Sequence, residues 1–208
     1  MNVLMINGSP NKNGCTYTAL SEIEGVLHKE GIESEIVHIG SGPIRGCIGC
    51  GKCAQLDGRC VFGDDIVNRL IEKMDQSDGL VIGTPVYYAS ANGSLVAALD
   101  RMFYAAGGRF AHKPGAAIAS ARRAGTTAAF DQLNKYFTIS QMPIVSSTYW
   151  NMVHGSCPDD VRQDREGLQI MRNLAQNMAW MLRCIASGKA AGIQPPQAEK
   201  TARTNFIR

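Results

Sequence analysis

The sequence predicts an α/β fold, a doubly wound five-stranded parallel sheet with helices on both faces. Three observations predict it. Short continuous apolar runs recur along the chain, helical stripes lie between them, and a glycine-bearing loop rich in amide and hydroxyl side chains follows the first run directly. Runs without polar alternation belong to strands covered on both faces, and a parallel sheet between two helical layers supplies that cover. With 208 residues, 45% of them hydrophobic, the chain can fill one sizeable core. The expected organisation is one domain over 1–187, with a Cys-rich insert at 46–60, and a C-terminal arm over 188–208.

The strands are expected at 2-NVLMI-6, 34-SEIVHI-39, 78-DGLVIGT-84, 115-GAAIASA-121 and 142-MPIVSST-148. Between the first two, Leu20, Ile23 and Leu27 form a helical stripe that Gly31 ends. Val67, Leu70, Ile71 and Met74 form the next, opening near Asp64 and Asp65, which read as caps, as do Asp159 and Asp160. Residues 93–105 and 125–140 supply two more helices. The last, about 160–187, puts Leu168, Met171, Leu174, Met178, Leu182 and Ile185 on one face. Trp180, Met181 and Cys184 lie off that stripe and read as core or as a subunit interface. Asp100 and Arg101 read as a structural pair.

Charge excludes some functions. Charged residues make up 19% of the chain and the formal net charge is +3, too mild for nucleic acid or a membrane surface as partner. Neither an apolar run of about 18 residues nor a basic segment leading into an apolar one is present at the N-terminus, so the expected location is cytoplasmic. In that compartment seven cysteines pose a question about metals or redox chemistry rather than disulfides.

Doubly wound sheets bind ligands beyond the carboxyl ends of their strands, which places the loop 6-INGSPNKNGCT-16 in a binding position. Free amides and a helix N-terminus near Thr16 suit an anion, Gly8 and Gly14 allow tight turns, and Ser9 and Thr16 offer hydroxyls. A nucleoside-triphosphate loop does not fit, because five residues separate Gly8 from Gly14 and Cys15 stands where the lysine belongs. The dinucleotide fingerprint is absent as well, and 36-IVHIGSG-42 carries no acidic residue for a ribose. A monophosphate, which needs aligned N–H and O–H donors but no lysine, fits this loop best.

Cys47, Cys50, Cys53 and Cys60 follow C-x2-C-x2-C-x6-C on a glycine-rich loop. Three cysteines spaced so closely favour an iron–sulfur centre over structural zinc, whose sites more often use two separated pairs; free thiols are the third reading. Cys157 and Cys184 have no partners in spacing and read as packing residues.

Together, 7-NGSPNKNGCT-16, 46-GCIGCGKCAQLDGRC-60 and 83-GTPVYYASANGSLVAALDR-101 resemble the flavodoxin-like NAD(P)H-dependent FMN reductases, in particular their iron–sulfur flavoprotein branch. The resemblance spans roughly residues 1–155 in order. It implies FMN, with its phosphate on Ser9, Asn11, Gly14, Cys15 and Thr16; Cys15 stands where such loops often carry Asn. It also implies NAD(P)H as electron donor, a [4Fe–4S] cluster on the four cysteines, and a homo-oligomer, dimer or tetramer. The loop after the third strand agrees, since Pro85, Val86, Tyr87 and Tyr88 offer a rigid aromatic surface for the flavin ring. After the fourth strand, Ser120, Arg122, Arg123 and Gly125 reach the same edge, where N–H donors or an arginine stabilise reduced flavin or a pyridine-nucleotide phosphate. Trp150, Asn151 and His154 read as candidates for lining a substrate pocket. No residue is expected to act as acid, base or nucleophile. The acceptor is expected to be a quinone, flavin or other small molecule, or a redox protein; the alternative is a non-enzymatic electron carrier between protein partners.

Overall fold

The computed structural model describes residues 1–208 apart from 203, 205, 207 and 208, so the end of the expected arm lies outside the described residues. Strands β1 (Asn2–Asn7), β2 (Glu33–His38), β3 (Gly79–Tyr87), β5 (Gly115–Ala121) and β6 (Met152–His154) form a parallel sheet in the order β2-β1-β3-β5-β6. The short β4 (Ser90–Ala91) pairs antiparallel with the end of β3. The fold class is the expected one, and the order reverses at β1 and β3, where such sheets bind ligands.

Strand side chains alternate between two cores. Leu4, Ile6, Leu80, Ile82 and Ala117 point to one face, covered by α2 (Val67–Asp75), α3 (Gly93–Ala106) and α4 (Thr126–Ile139). Val3, Met5, Val81, Ala116 and Ile118 point to the other, covered by α1 (Cys15–Lys29), α5 (Pro158–Gln163) and α6 (Arg165–Ala190). The predicted stripes are the buried faces of these helices, save that Leu168 is only partly buried and Ile185, near the end of α6, is exposed.

Four local expectations are corrected. The stretch 142–148 meets β5 at the single Gly115–Ile144 bridge, where Gly115 N–H donates to Pro143 O (2.9 Å) and Val145 N–H to Gly115 O (2.8 Å). Beyond it the chain turns to α6: Ser146 O accepts from Asn177, Ser147 Oγ donates to Ile170 O, and Thr148 Oγ1 accepts from Asn173. It rejoins the sheet only at Met152, which draws Asn151 into the interior, where its side-chain amide donates to Ala117 O (3.1 Å).

The long last helix is two, because Asp164 ends α5 and caps α6, its carboxylate accepting from Gly167 N–H (2.9 Å). Trp180 is exposed rather than core, and Cys157 and Cys184 are exposed rather than packed. Asp100 and Arg101 do not pair: Asp100 accepts from the Tyr136 hydroxyl, whereas Arg101 is buried against Asp65.

Candidate functional site

The loop between β1 and α1 is held from inside. Asn7 is fully buried; its Oδ1 accepts from Ser9 N–H (3.1 Å) and its Nδ2 donates to Lys12 O (3.0 Å). Ser9 Oγ accepts from Asn11 N–H (3.1 Å), and His38 Nε2 meets the Ser9 carbonyl at 2.7 Å. Gly8 N–H bonds Gly83 O (2.8 Å), and Asn92 Nδ2 donates to Gly8 O (2.8 Å). Only glycine fits at position 8, since a Cβ there would stand 2.5 Å from Leu95 Cδ2 and 2.8 Å from Gly83 O. Asn7, His38 and Asn92 are thus organising residues that motif reasoning passed over. Asn7 opens the quoted motif, and Asn92 shows itself as the cap of α3, accepting from Ser94 N–H; His38 carries no sequence signal.

Helix α1 begins without a side-chain cap. Its first-turn amides therefore keep the free donors and the positive dipole end that attract an anion. Thr16 Oγ1 and Ser120 Oγ lie 2.8 Å apart and buried, tying the end of β5 to the start of α1. One hydroxyl proton serves that bond and the other is available to a ligand. Cys15 points aside, its thiol donating to Gly155 O (3.6 Å); burial, the largest influence, pushes its pKa up, so it stays a neutral thiol.

Beside this loop stands the β3–β4 hairpin. Pro85 and Val86 are half-buried, Tyr87 is exposed, and Tyr88 projects fully into solvent. Tyr88 and Ala89 form the turn with φ of 50° and 58°, the two left-handed positions that such a turn requires and that side chains other than Gly or Asn adopt with strain. Gln132 of α4 anchors it, accepting from Ser90 Oγ (2.7 Å) and Ala91 N–H (3.0 Å). Gly125, with φ of 92°, lets the β5–α4 loop close on the hairpin, since a Cβ would come within 2.8 Å of Ala89 Cα. Arg122 and Arg123 on that loop are exposed. The expected residues of all three loops therefore converge on the carboxyl edge of the sheet. His154 is exposed at the end of β6, its Nδ1 3.9 Å from Asp164.

The cysteine insert forms a second feature. Cys47, Cys50, Cys53 and Cys60 are free thiols that line one cleft together with Arg101 and Tyr104. Asn68 fixes its end, accepting from Cys60 N–H (2.7 Å) and donating to the carbonyls of Cys60 (3.0 Å) and Phe62 (3.1 Å). Among the described residues, no three His, Cys, Asp or Glu converge on one ion-sized point. A single zinc needs all its sulfurs at about 2.3 Å from one centre. A cluster gives each thiolate its own iron and spreads the sulfurs around a larger volume, so an all-sulfur set around one cleft fits the cluster better.

Residues 1–156 match the family model described as NADPH-dependent FMN reductase. The chain belongs to that family. Among curated relatives of this FMN reductase family member, an iron-sulfur flavoprotein of Methanocaldococcus jannaschii is 31% identical over 193 residues, covering 89% of this chain and 99% of its own. An iron-sulfur flavoprotein of Methanosarcina thermophila is 26% identical and covers 91% and 99%. The branch is therefore that of the iron-sulfur flavoproteins. Of solved structures, the flavoenzyme NAD(P)H:(acceptor) oxidoreductase FerB of Paracoccus denitrificans superposes with a TM-score of 0.66 at 18% identity, covering 88% of this chain and 97% of that one. A flavodoxin from the domain Archaea superposes with 0.59 at 10%, covering 88% and 99%. These two show the fold, and the family makes the protein an FMN-binding oxidoreductase. No helix among the described residues is long and apolar enough to cross a membrane.

Proposed function

We propose that this protein accepts hydride from NAD(P)H on FMN and delivers the electrons to a quinone, flavin or other small acceptor, by way of a [4Fe–4S] cluster on Cys47, Cys50, Cys53 and Cys60. The observation that carries the reading is the uncapped start of α1 beside an internally braced loop, facing the aromatic hairpin at one sheet edge. Bound FMN supplies the chemistry of taking two electrons with a hydride and releasing them singly or together.

The chain's residues bind and orient. Ser9, Asn11, Gly14, Cys15 and Thr16 hold the phosphate through main-chain amides and hydroxyls, with Cys15 contributing its amide and not its thiol. Pro85, Val86, Tyr87 and Tyr88 bear the ring and keep water from one face. Ser120, Arg122, Arg123 and Gly125 supply N–H, O–H and cationic groups to the ring's polar edge or to the dinucleotide phosphate. The FMN-binding domain comprises residues 1–187, with the cysteine insert at 46–60 inside it. No side chain is asked to move a proton.

The test is anaerobic purification, with FMN, iron and sulfide counted per chain and the flavin bleached with NADH or NADPH. One FMN, four irons and rapid bleaching by a pyridine nucleotide are expected. A chain that arrives colourless and refuses added FMN overturns the flavin reading. Flavin reducible only through another redox protein replaces the reductase by an electron carrier.

A further inference from the structure

Arg101 stands on the buried face of α3, 1% exposed, and every one of its five N–H groups has a partner. The Nε–H donates to Cys60 Sγ (3.2 Å). One terminal nitrogen donates to Arg45 O (3.2 Å) and to Asp65; the other donates to Phe62 O (3.1 Å) and to Asp65 Oδ1 (3.2 Å). The Phe62 ring lies against this guanidinium and that of Arg45, at 5.3 Å and 5.0 Å. Burial pulls the pKa of Arg101 down, but Asp65 and Cys60 outweigh it and hold the cation above its ordinary value.

The partners matter more than their number. Arg45 immediately precedes the cysteine insert and Cys60 closes it, so one planar fork grips both ends of the loop that carries the four thiols. A buried ion pair is seldom the most stable filling for a helix–loop contact, because desolvating both charges offsets most of their attraction. A cation kept here in an otherwise apolar helix face, with one N–H turned onto a sulfur, points to a task at that sulfur.

We propose that Arg101 is a positioning residue for the four-cysteine loop, whose Nε–H bond to Cys60 Sγ holds that sulfur inward and raises the reduction potential of the centre the loop carries. The proposal rests on the reading of the loop as a cluster site. Reduction adds one electron and one negative charge to the centre, with no bond made or broken. An N–H donor and a fixed cation beside a ligating sulfur stabilise the added charge, and hydrogen bonds to sulfur are among the determinants of such potentials. Lysine cannot substitute, since its ammonium lacks the planar fork that reaches Cys60, Asp65, Phe62 and Arg45 together.

The experiment compares the wild type with Arg101→Lys in two measurements. In cluster-loaded protein, a potentiometric titration with dithionite followed by electron paramagnetic resonance should show the variant's reduction disfavoured by about tenfold, which is about 59 mV for one electron. In cluster-free protein, iodoacetamide labelling read cysteine by cysteine should find Cys60 at least about tenfold slower than Cys47 in the wild type and within about threefold of it in the variant, as expected when a charge-assisted bond is lost. Should Arg101→Lys fail to accumulate folded, the double variant Arg101→Met/Asp65→Asn removes both buried charges together and is held to the same criteria.

Equal potentials, within about twofold in the equilibrium constant, overturn the tuning role. Unchanged labelling of Cys60 overturns the positioning role. A wild type without iron and sulfide sinks the cluster reading, and with it the potential, while the labelling still decides whether Arg101 governs Cys60.

Discussion

Neighbours in sequence can have opposite fates. Asp100 and Arg101 suggest a pair on paper, yet adjacent positions of a helix point about 100° apart and cannot face each other. Arg101 turns inward to the cysteine loop, and Asp100 turns to α4 and accepts from Tyr136. Burial first, then the bond to and charge of Asp100, raise the Tyr136 pKa well above its ordinary value. The proton is thus favoured in the folded state, and the stabilisation is complete below the unfolded pKa of about 10 and lost as pH rises beyond it. Urea midpoints at pH 8, 10 and 11 should fall more steeply for the wild type than for Tyr136→Phe, whose cost at pH 8 should be about 1 kcal/mol. Motif residues such as Ser9 and Thr16 were legible because their chemistry is local. Asn7, His38 and Arg101 were not, because each acts through partners far along the chain or through carbonyls that no sequence pattern marks.

Among the elements, the apolar periods announced the helices and the first four strands, and failed where polar atoms decided. Met142–Thr148 has the composition of a buried strand, but its serine and threonine groups find better partners on α6, so the ladder lapses and resumes at Met152. Likewise the stripe of α6 runs on without a visible break from α5, and only the Asp164 cap, three residues before Gly167, marks the division. The β3–β4 hairpin departs from local preference in the opposite way: its turn holds Tyr88 and Ala89 where Asn and Gly would rest easily. Ala89→Gly should raise the stability of the flavin-free protein by about 1 kcal/mol, read as a higher melting temperature. Tyr88→Gly should gain similarly but weaken FMN binding roughly three- to tenfold, the ~0.5–1.5 kcal/mol of an aromatic contact. A calorimetric titration with FMN separates the two; an undiminished affinity in Tyr88→Gly removes that ring from the site.

The molecule as a whole is one sheet shared by two cores, so neither face has a foundation of its own. Leu174→Ala, in the α6 core and fully buried, should cost about 2–5 kcal/mol. If the sheet couples the faces, the urea transition seen by circular dichroism and the labelling of Cys60 on the opposite side should shift together. Separate midpoints would show two independent layers. The detour from 146 to 151 has a consequence for how the chain behaves in a crowded solution. It leaves β6, an outermost strand, only three residues long, with little open ladder on which another chain could crystallise its own backbone, so this flank of the sheet is built to resist fibrous self-association.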